Sequence, residues 1–213
     1  MTTKKGFKEI GIDISHWNRV TDFDKVRASG VSFAIIKAGG SDKGFYKDHQ
    51  FDNYYRLAKN AGLKVGAYYF VGPSFLSARD GIEDAKRFMS IIRGKEFDYP
   101  VFLDLETTPP AAKENATIAS VAFLEELESN GYFAGIYASD ISGYKERLIL
   151  KSLKPFAKWV AKYSSKKPEY VKDYGIWQYS SRGTIDGIIG PVDLDTSVVD
   201  YAAIIRAKNF NRG

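Results

Sequence analysis

Residues 99–106, YPVFLDLE, form a short apolar run that ends abruptly in two carboxylates, Asp104 and Glu106. Val101, Phe102, Leu103 and Leu105 are the residue types a buried strand prefers, and a near-continuous apolar run fits a parallel strand covered on both faces. Side chains alternate with period two along a strand, so Asp104 and Glu106 point to the same side, with Cα atoms about 6.5–7 Å apart. Pro109 and Pro110 then stop the strand and leave both acids at a loop mouth. That is where α/β barrels carry their catalytic residues.

Working outward, the chain alternates strands and helices. Gly11–Ser15 reads as a first strand, with Asp13 near its end and the polar and aromatic trio His16, Trp17 and Asn18 after it. Asp22–Ser29 reads as a short helix closed by Gly30, and Val31–Ala38 as a buried strand. Helical periodicity over Tyr46–Asn60, which takes in His49, precedes a strand at Leu63–Val71. The amphipathic spacing of Ile82, Ala85, Phe88, Met89 and Ile92 makes Ser77–Ile92 the helix before the acid-tipped strand. Thr117–Ser129 is helical again, and Tyr132–Ala138 is the fifth strand. Beyond it the chain is strand-rich, at Ala157–Tyr163, Tyr174–Ser180 and Val192–Val199, with helix expected only at Ser142–Leu150 and Ala202–Lys208. Short connections between alternating elements imply a parallel sheet with right-handed crossovers, and about eight such strands close into a barrel. The expectation is an irregular α/β barrel of five β/α units followed by three strands with little helix, (β/α)5(β)3. One domain over residues 1–213, with its core at about 9–206, accounts for the whole length.

Composition narrows the function classes. The 27% charged and 44% hydrophobic residues are ordinary for a soluble globular protein. The net charge of +5 suits an anionic partner or simple solubility, but no basic cluster interleaved with aromatics argues for nucleic acid. Without cysteine, disulfides and thiolate metal sites are excluded. Met1–Ile10 has positive charge but no apolar core of a signal peptide, and no run is long enough to insert in a bilayer. An enzyme working outside a cytoplasm would then need another release route, such as holin-type lysis.

On the expected barrel, the C-terminal strand ends present Asp13, then Tyr68 and Phe70, Asp104 and Glu106, Tyr137, Trp159, Trp177 with Gln178, and finally Asp193 with Asp195. Tyr69 falls in the core by alternation with Tyr68. An acidic floor walled by aromatics suits a carbohydrate cleft, because flat apolar rings stack on sugars while carboxylates and amides bond their hydroxyl and acetamido groups. Trp159 and Trp177 suit barrel filling as well as ligand platforms.

The ordered set GIDIS-x-W (11–17), GAYYF (66–70), FLDLE (102–106), GIYAS (135–139), WVAKY (159–163), WQYSS (177–181) and PVDLD (191–195) resembles glycoside hydrolase family 25, the Chalaropsis-type lysozymes. The resemblance spans Gly11 to about Tyr201. It implies a flattened TIM-like barrel and hydrolysis of the β-1,4 bond between N-acetylmuramic acid and N-acetylglucosamine in peptidoglycan glycan strands. Since every cleft acid has a role in proton transfer or sugar contact, the expectation is a monomer without a cofactor or metal. It assigns Glu106 as general acid and Asp104 as its partner carboxylate, with Asp13 and one aspartate of PVDLD lining the cleft. Of these two, Asp193 is favoured, since the position of Asp195 often bears an amide in the family. The resemblance also marks two departures. His16 stands where a small or polar residue is common and reads as a capping or packing residue. No wall-binding module follows Tyr201, so the chain works as a bare catalytic domain or has been trimmed.

Glycoside cleavage needs an acid for the leaving oxygen and a group that supports an oxocarbenium-like centre. Asp104 could attack directly or orient the substrate's own acetamido group, and the presumed N-acetyl sugar favours the second. Two other classes fit the acids: a divalent-metal hydrolase using Asp13, Asp104, Glu106 and Asp193 as hard oxygen ligands, and a non-catalytic wall-binding barrel.

Overall fold

The computed structural model describes residues 6–212. Eight strands close a barrel: β1 (Glu9–Ile14), β3 (Phe33–Gly40), β5 (Lys64–Val71), β6 (Val101–Leu105), β7 (Ala134–Ser139), β8 (Ala157–Ala161), β9 (Ile176–Gly183) and β11 (Val192–Ser197). Three two-residue strands decorate it: β2 (Arg19–Val20), which pairs with β10 (Ile188–Ile189), and β4 (Tyr46–Lys47), which pairs with β3. Helices α1 (Phe23–Ala28), α2 (Phe51–Asn60), α3 (Ala78–Ile92) and α4 (Lys113–Ser129) fill the first four crossovers, and α5 (Tyr201–Lys208) follows β11. Among the described residues no helix is long and apolar enough to cross a membrane.

Pairing runs β1–β3–β5–β6–β7–β8–β9, all parallel, and then β11, which is antiparallel to both β9 and β1 and closes the ring. The all-parallel sheet expected from the sequence is therefore corrected at one strand. Only residues 184–191 separate β9 from β11, fewer than the dozen or so a parallel crossover needs. The helix expected over Ser142–Leu150 is likewise a π turn at Asp140–Lys145 and a 3-10 turn at Leu150–Leu153. There the Ile149 N–H is captured by Thr117 Oγ1 of α4. The helix expected from Tyr46 begins at Phe51, because β4 pairs with β3 and Asp48 caps the turn before α2 by accepting the Gln50 N–H. His49 lies in that turn, outside the helix.

Two apolar layers follow from strand alternation. Val101, Leu103 and Leu105 face outward into the layer between barrel and helices, with Phe88 of α3 and Phe123 of α4. Phe102 faces inward with Phe33, Ile35, Tyr99, Trp159 and Tyr201. The inner rings are so close that Gly11 and Gly135 admit no side chain: a Cβ at either would lie within 2.4 Å of Phe33 or Phe102 respectively. Tyr201 and Ile205 of α5 join this inner cluster and stopper the lower end of the barrel. Asn211 secures that plug by accepting the Phe133 N–H and donating to the Tyr99 carbonyl. Side chains from the bottom up thus fill the barrel, and polar groups are left for its upper, C-terminal end.

Local signals fix the helices. Ser77 caps α3 by accepting the Asp80 N–H, while the Asp80 carboxylate returns to the Ser77 hydroxyl and the Leu76 N–H. Asp22 caps α1 by accepting the Lys25 N–H.

Candidate active site

Asp104 is the last inward residue of β6, held between Phe70 of β5 and Tyr137 of β7 in the strand register. It is 5% exposed and its Oδ1 has no hydrogen-bond partner. Glu106, two residues on and past the strand end, is open to solvent at the mouth, although protein surrounds it on most sides. The two carboxyls are near enough that each shifts the other's proton affinity. Burial, followed by the charge on Glu106, pushes Asp104 well above the usual carboxylate range. Burial also raises Glu106, but the hydrogen bond from Asp104 and the charges of Lys37 and Arg147 oppose that rise. Two carboxyls in this relation hold one proton between them, and the deeper one favours it.

A second acidic group occupies the opposite wall. Asp13 ends β1, and its Oδ2 accepts the Gln178 amide at 2.7 Å. Gln178 Oε1 in turn accepts hydroxyls from Tyr137 at 2.8 Å and Tyr163 at 3.1 Å. Asp195 is 0% exposed and accepts the Trp159 indole N–H at 2.7 Å. Burial and the negative charges of Asp195 and Asp193 raise Asp13 well above its ordinary value. Burial raises Asp195 to about 7 against opposing hydrogen bonds from Asp13 and Trp159. Asp193 is half-buried, and burial plus the charge of Glu106 raise it to about 6. Of the two PVDLD aspartates, Asp193 therefore stands towards the open mouth, and Asp195 braces the floor.

The aromatic residues divide in the same way. Tyr68 and Phe70 are half-buried inside the mouth, and Tyr137 packs 4.4 Å from Trp159, centroid to centroid. Trp159 is only 1% exposed, so its contribution is the indole N–H given to Asp195 and not an open stacking face. Trp177 alternates with Gln178, donates to the Lys162 carbonyl and packs on Tyr179, which sets it apart from the acids. Tyr163, 58% exposed just past β8, is an open ring tied to these groups through Gln178, and Trp17, in the turn after β1, is 82% exposed.

Three residues escaped the sequence reading. Lys37 projects from β3 with its ammonium 4.6 Å from the Phe70 ring centroid and is the cation that acts on both Asp104 and Glu106. Its signal was present, a lysine inside the otherwise apolar run VSFAIIKA. Arg147 donates to the carbonyls of Thr108 and Ser142 and so ties the loop after Glu106 to the π turn. Tyr163 completes the Gln178 node. Among the described residues, no three of the cleft acids bring carboxylate oxygens within 4.8 Å of one another; the group that meets that spacing is His16, Asp48 and His49.

A barrel mouth that gathers buried carboxyls of raised proton affinity is a setting suited to acid–base chemistry. The family model for Glycosyl hydrolases family 25 matches residues 12–188, and the chain belongs to that family. It is 32% identical to the "Autolytic lysozyme" of Clostridium acetobutylicum over 87% of this chain, and it spans 54% of that relative's length. Among solved structures it is similar to the CTP1L endolysin, with a TM-score of 0.80 and 26% identity over 93% of this chain and 70% of that one. A bacterial lysozyme from Streptomyces coelicolor shares the fold, with a TM-score of 0.75 and 24% identity over 98% of this chain and 100% of that one.

Proposed function

We propose that this chain is a lysozyme that hydrolyses the β-1,4 bond between N-acetylmuramic acid and N-acetylglucosamine in bacterial peptidoglycan. Family membership and the names of the similar proteins support the substrate. The observation that carries the mechanism is the buried, partly unpartnered Asp104 beside the open Glu106.

In the free enzyme the shared proton rests on Asp104, the more deeply buried acid. Glycan binding across the mouth brings the glycosidic oxygen to Glu106 and an acetamido group to Asp104. Positive charge developing on the sugar then favours an ionised Asp104, and the proton passes to Glu106 for delivery to the leaving oxygen. Direct attack by Asp104 fits less well. A retaining acid and its nucleophile lie about 5–5.5 Å apart on opposite sides of the bond, whereas these two sit two residues apart at the end of one strand. Substrate assistance uses the acetamido oxygen as nucleophile, with Asp104 accepting the acetamido N–H. Asp193, facing Glu106 from β11, supplies a second negative wall to the developing cation, and Asp13 with Gln178 hydrogen-bonds the sugar from below.

Digestion of purified peptidoglycan followed by borohydride reduction and mass analysis tests the bond assignment. Muramicitol at the new ends is the expected product; glucosaminitol would make the chain a glucosaminidase.

A further inference from the structure

The chain has two histidines, and the fold brings both together. His16 follows β1 and His49 precedes α2; their ring centroids are 4.9 Å apart with planes at 48°. Between them Asp48 is buried, its Oδ2 lying 2.6 Å from His16 Nδ1 and also accepting the His16 backbone N–H. Its Oδ1 accepts the Gln50 N–H. Asp48 is thereby committed as an acceptor on both oxygens, so in the neutral ring of His16 the hydrogen sits on Nδ1 and Nε2 is the nitrogen left for a ligand. A carboxylate that orients one imidazole nitrogen and frees the other is the arrangement that supports metal-ligating histidines.

We propose that His16 and His49, oriented by Asp48, form a site for a borderline divalent transition ion such as zinc, nickel or copper at the rim of the barrel mouth. One ligand atom from each of the three residues, either ring nitrogen serving for a histidine, lies within 4.8 Å of the other two, and the two imidazole centroids are 4.9 Å apart. Two nitrogens on a tetrahedral ion with bonds of about 2.0–2.1 Å sit about 3.3 Å apart. His49 is exposed and His16 half-buried, so rotation of the His49 ring supplies the difference while His16 stays fixed. Imidazole nitrogen selects these ions over magnesium and calcium, which require oxygen donors. The bound ion would tie the turn after β1 to the turn before α2, beside Trp17, whose ring centroid is 4.5 Å from that of His16. No part of the proton chemistry assigned to Glu106 and Asp104 passes through it, so the site stands independently of the lysozyme reading.

Calorimetric titration of zinc chloride into the full chain tests the proposal. The wild type should bind one equivalent. His49→Ala, a change at an exposed turn, should lose at least tenfold in affinity, and Asp48→Asn about 10-fold or more through the lost orientation of His16. Copper should bind more tightly than nickel, following the order of divalent stabilities, and should quench fluorescence in the wild type but not in a Trp17→Phe variant. Magnesium should neither bind there nor displace zinc. Zinc binding of unchanged affinity and stoichiometry in His49→Ala, or no zinc binding by the folded wild type, would overturn the assignment.

Discussion

Replacing Asp195 by Asn should stabilise this protein at neutral and alkaline pH and leave its stability unchanged in acid. Asp195 is fully buried, accepts the Trp159 N–H through Oδ1 and shares a hydrogen bond with Asp13. An asparagine keeps the acceptor for Trp159 and removes the ionisable group, while its NH2 turns the bond with Asp13 around so that Asp13 accepts where it had donated. The native-state value of Asp195 is raised from 3.8 to about 7. A carboxyl raised on folding contributes its stability below the unfolded value and loses it as pH rises through the folded one. Between pH 4 and 7 the unfolded chain has released this proton while the native chain still holds it, so stability falls with pH. At about 1.36 kcal/mol per unit, the ceiling is about 4 kcal/mol. Asp13 and Asp195 share their protons, so the measured gain should be nearer half, about 2 kcal/mol, or about 4–8 °C in Tm for a domain of this size. Thermal melting of both proteins across pH 4–9 provides the assay. A variant less stable than wild type at pH 8, or an offset that does not change with pH, would show that ionised Asp195 does not destabilise the native state.

Asp104→Asn should lower kcat on peptidoglycan by at least about tenfold with little change in KM, because it removes charge needed only as the cation develops; an effect confined to KM would assign Asp104 to binding. Lys37→Met removes the cation that lowers both Asp104 and Glu106, so both limbs of the kcat/KM profile should move to higher pH, and an unmoved profile would detach Lys37 from the pair. Lysis should survive prolonged EDTA treatment, since the cleft acids act on protons and sugar; activity lost to EDTA and restored by a divalent ion would return the site to the metal-hydrolase class.

The parts of the fold that were legible in the sequence are those set by local pattern. The apolar run ending in Asp104 placed β6, alternation separated Tyr69 from Tyr68, and Ser77 and Asp22 marked helix starts that the structure caps with those side chains. Strand direction is not a local property: VDLDTSVV looks the same either way along the barrel, and only the short link from β9 reverses it. The Ser142–Leu150 segment has adequate helical periodicity, yet Thr117 and Arg147 take over backbone groups that a helix would have used. In the site, residues at strand ends could be found by alternation, whereas Arg147 and Tyr163 reach in from turns whose geometry depends on distant partners. Trp159 and Trp177 carry the same residue type, and only the burial of one and the outward register of the other show that neither offers an open face among the acids.

In the proposed mechanism Glu106 delivers a proton that Asp104 can supply, and Glu106→Gln removes that delivery while keeping size and hydrogen bonding. Turnover of purified peptidoglycan by this variant, measured beside its melting curve, should fall by at least about two orders of magnitude, the scale of a general acid's contribution, in a protein that melts no lower than wild type. Turnover near the wild-type rate in the folded variant would contradict the assignment and with it the mechanism built on the pair.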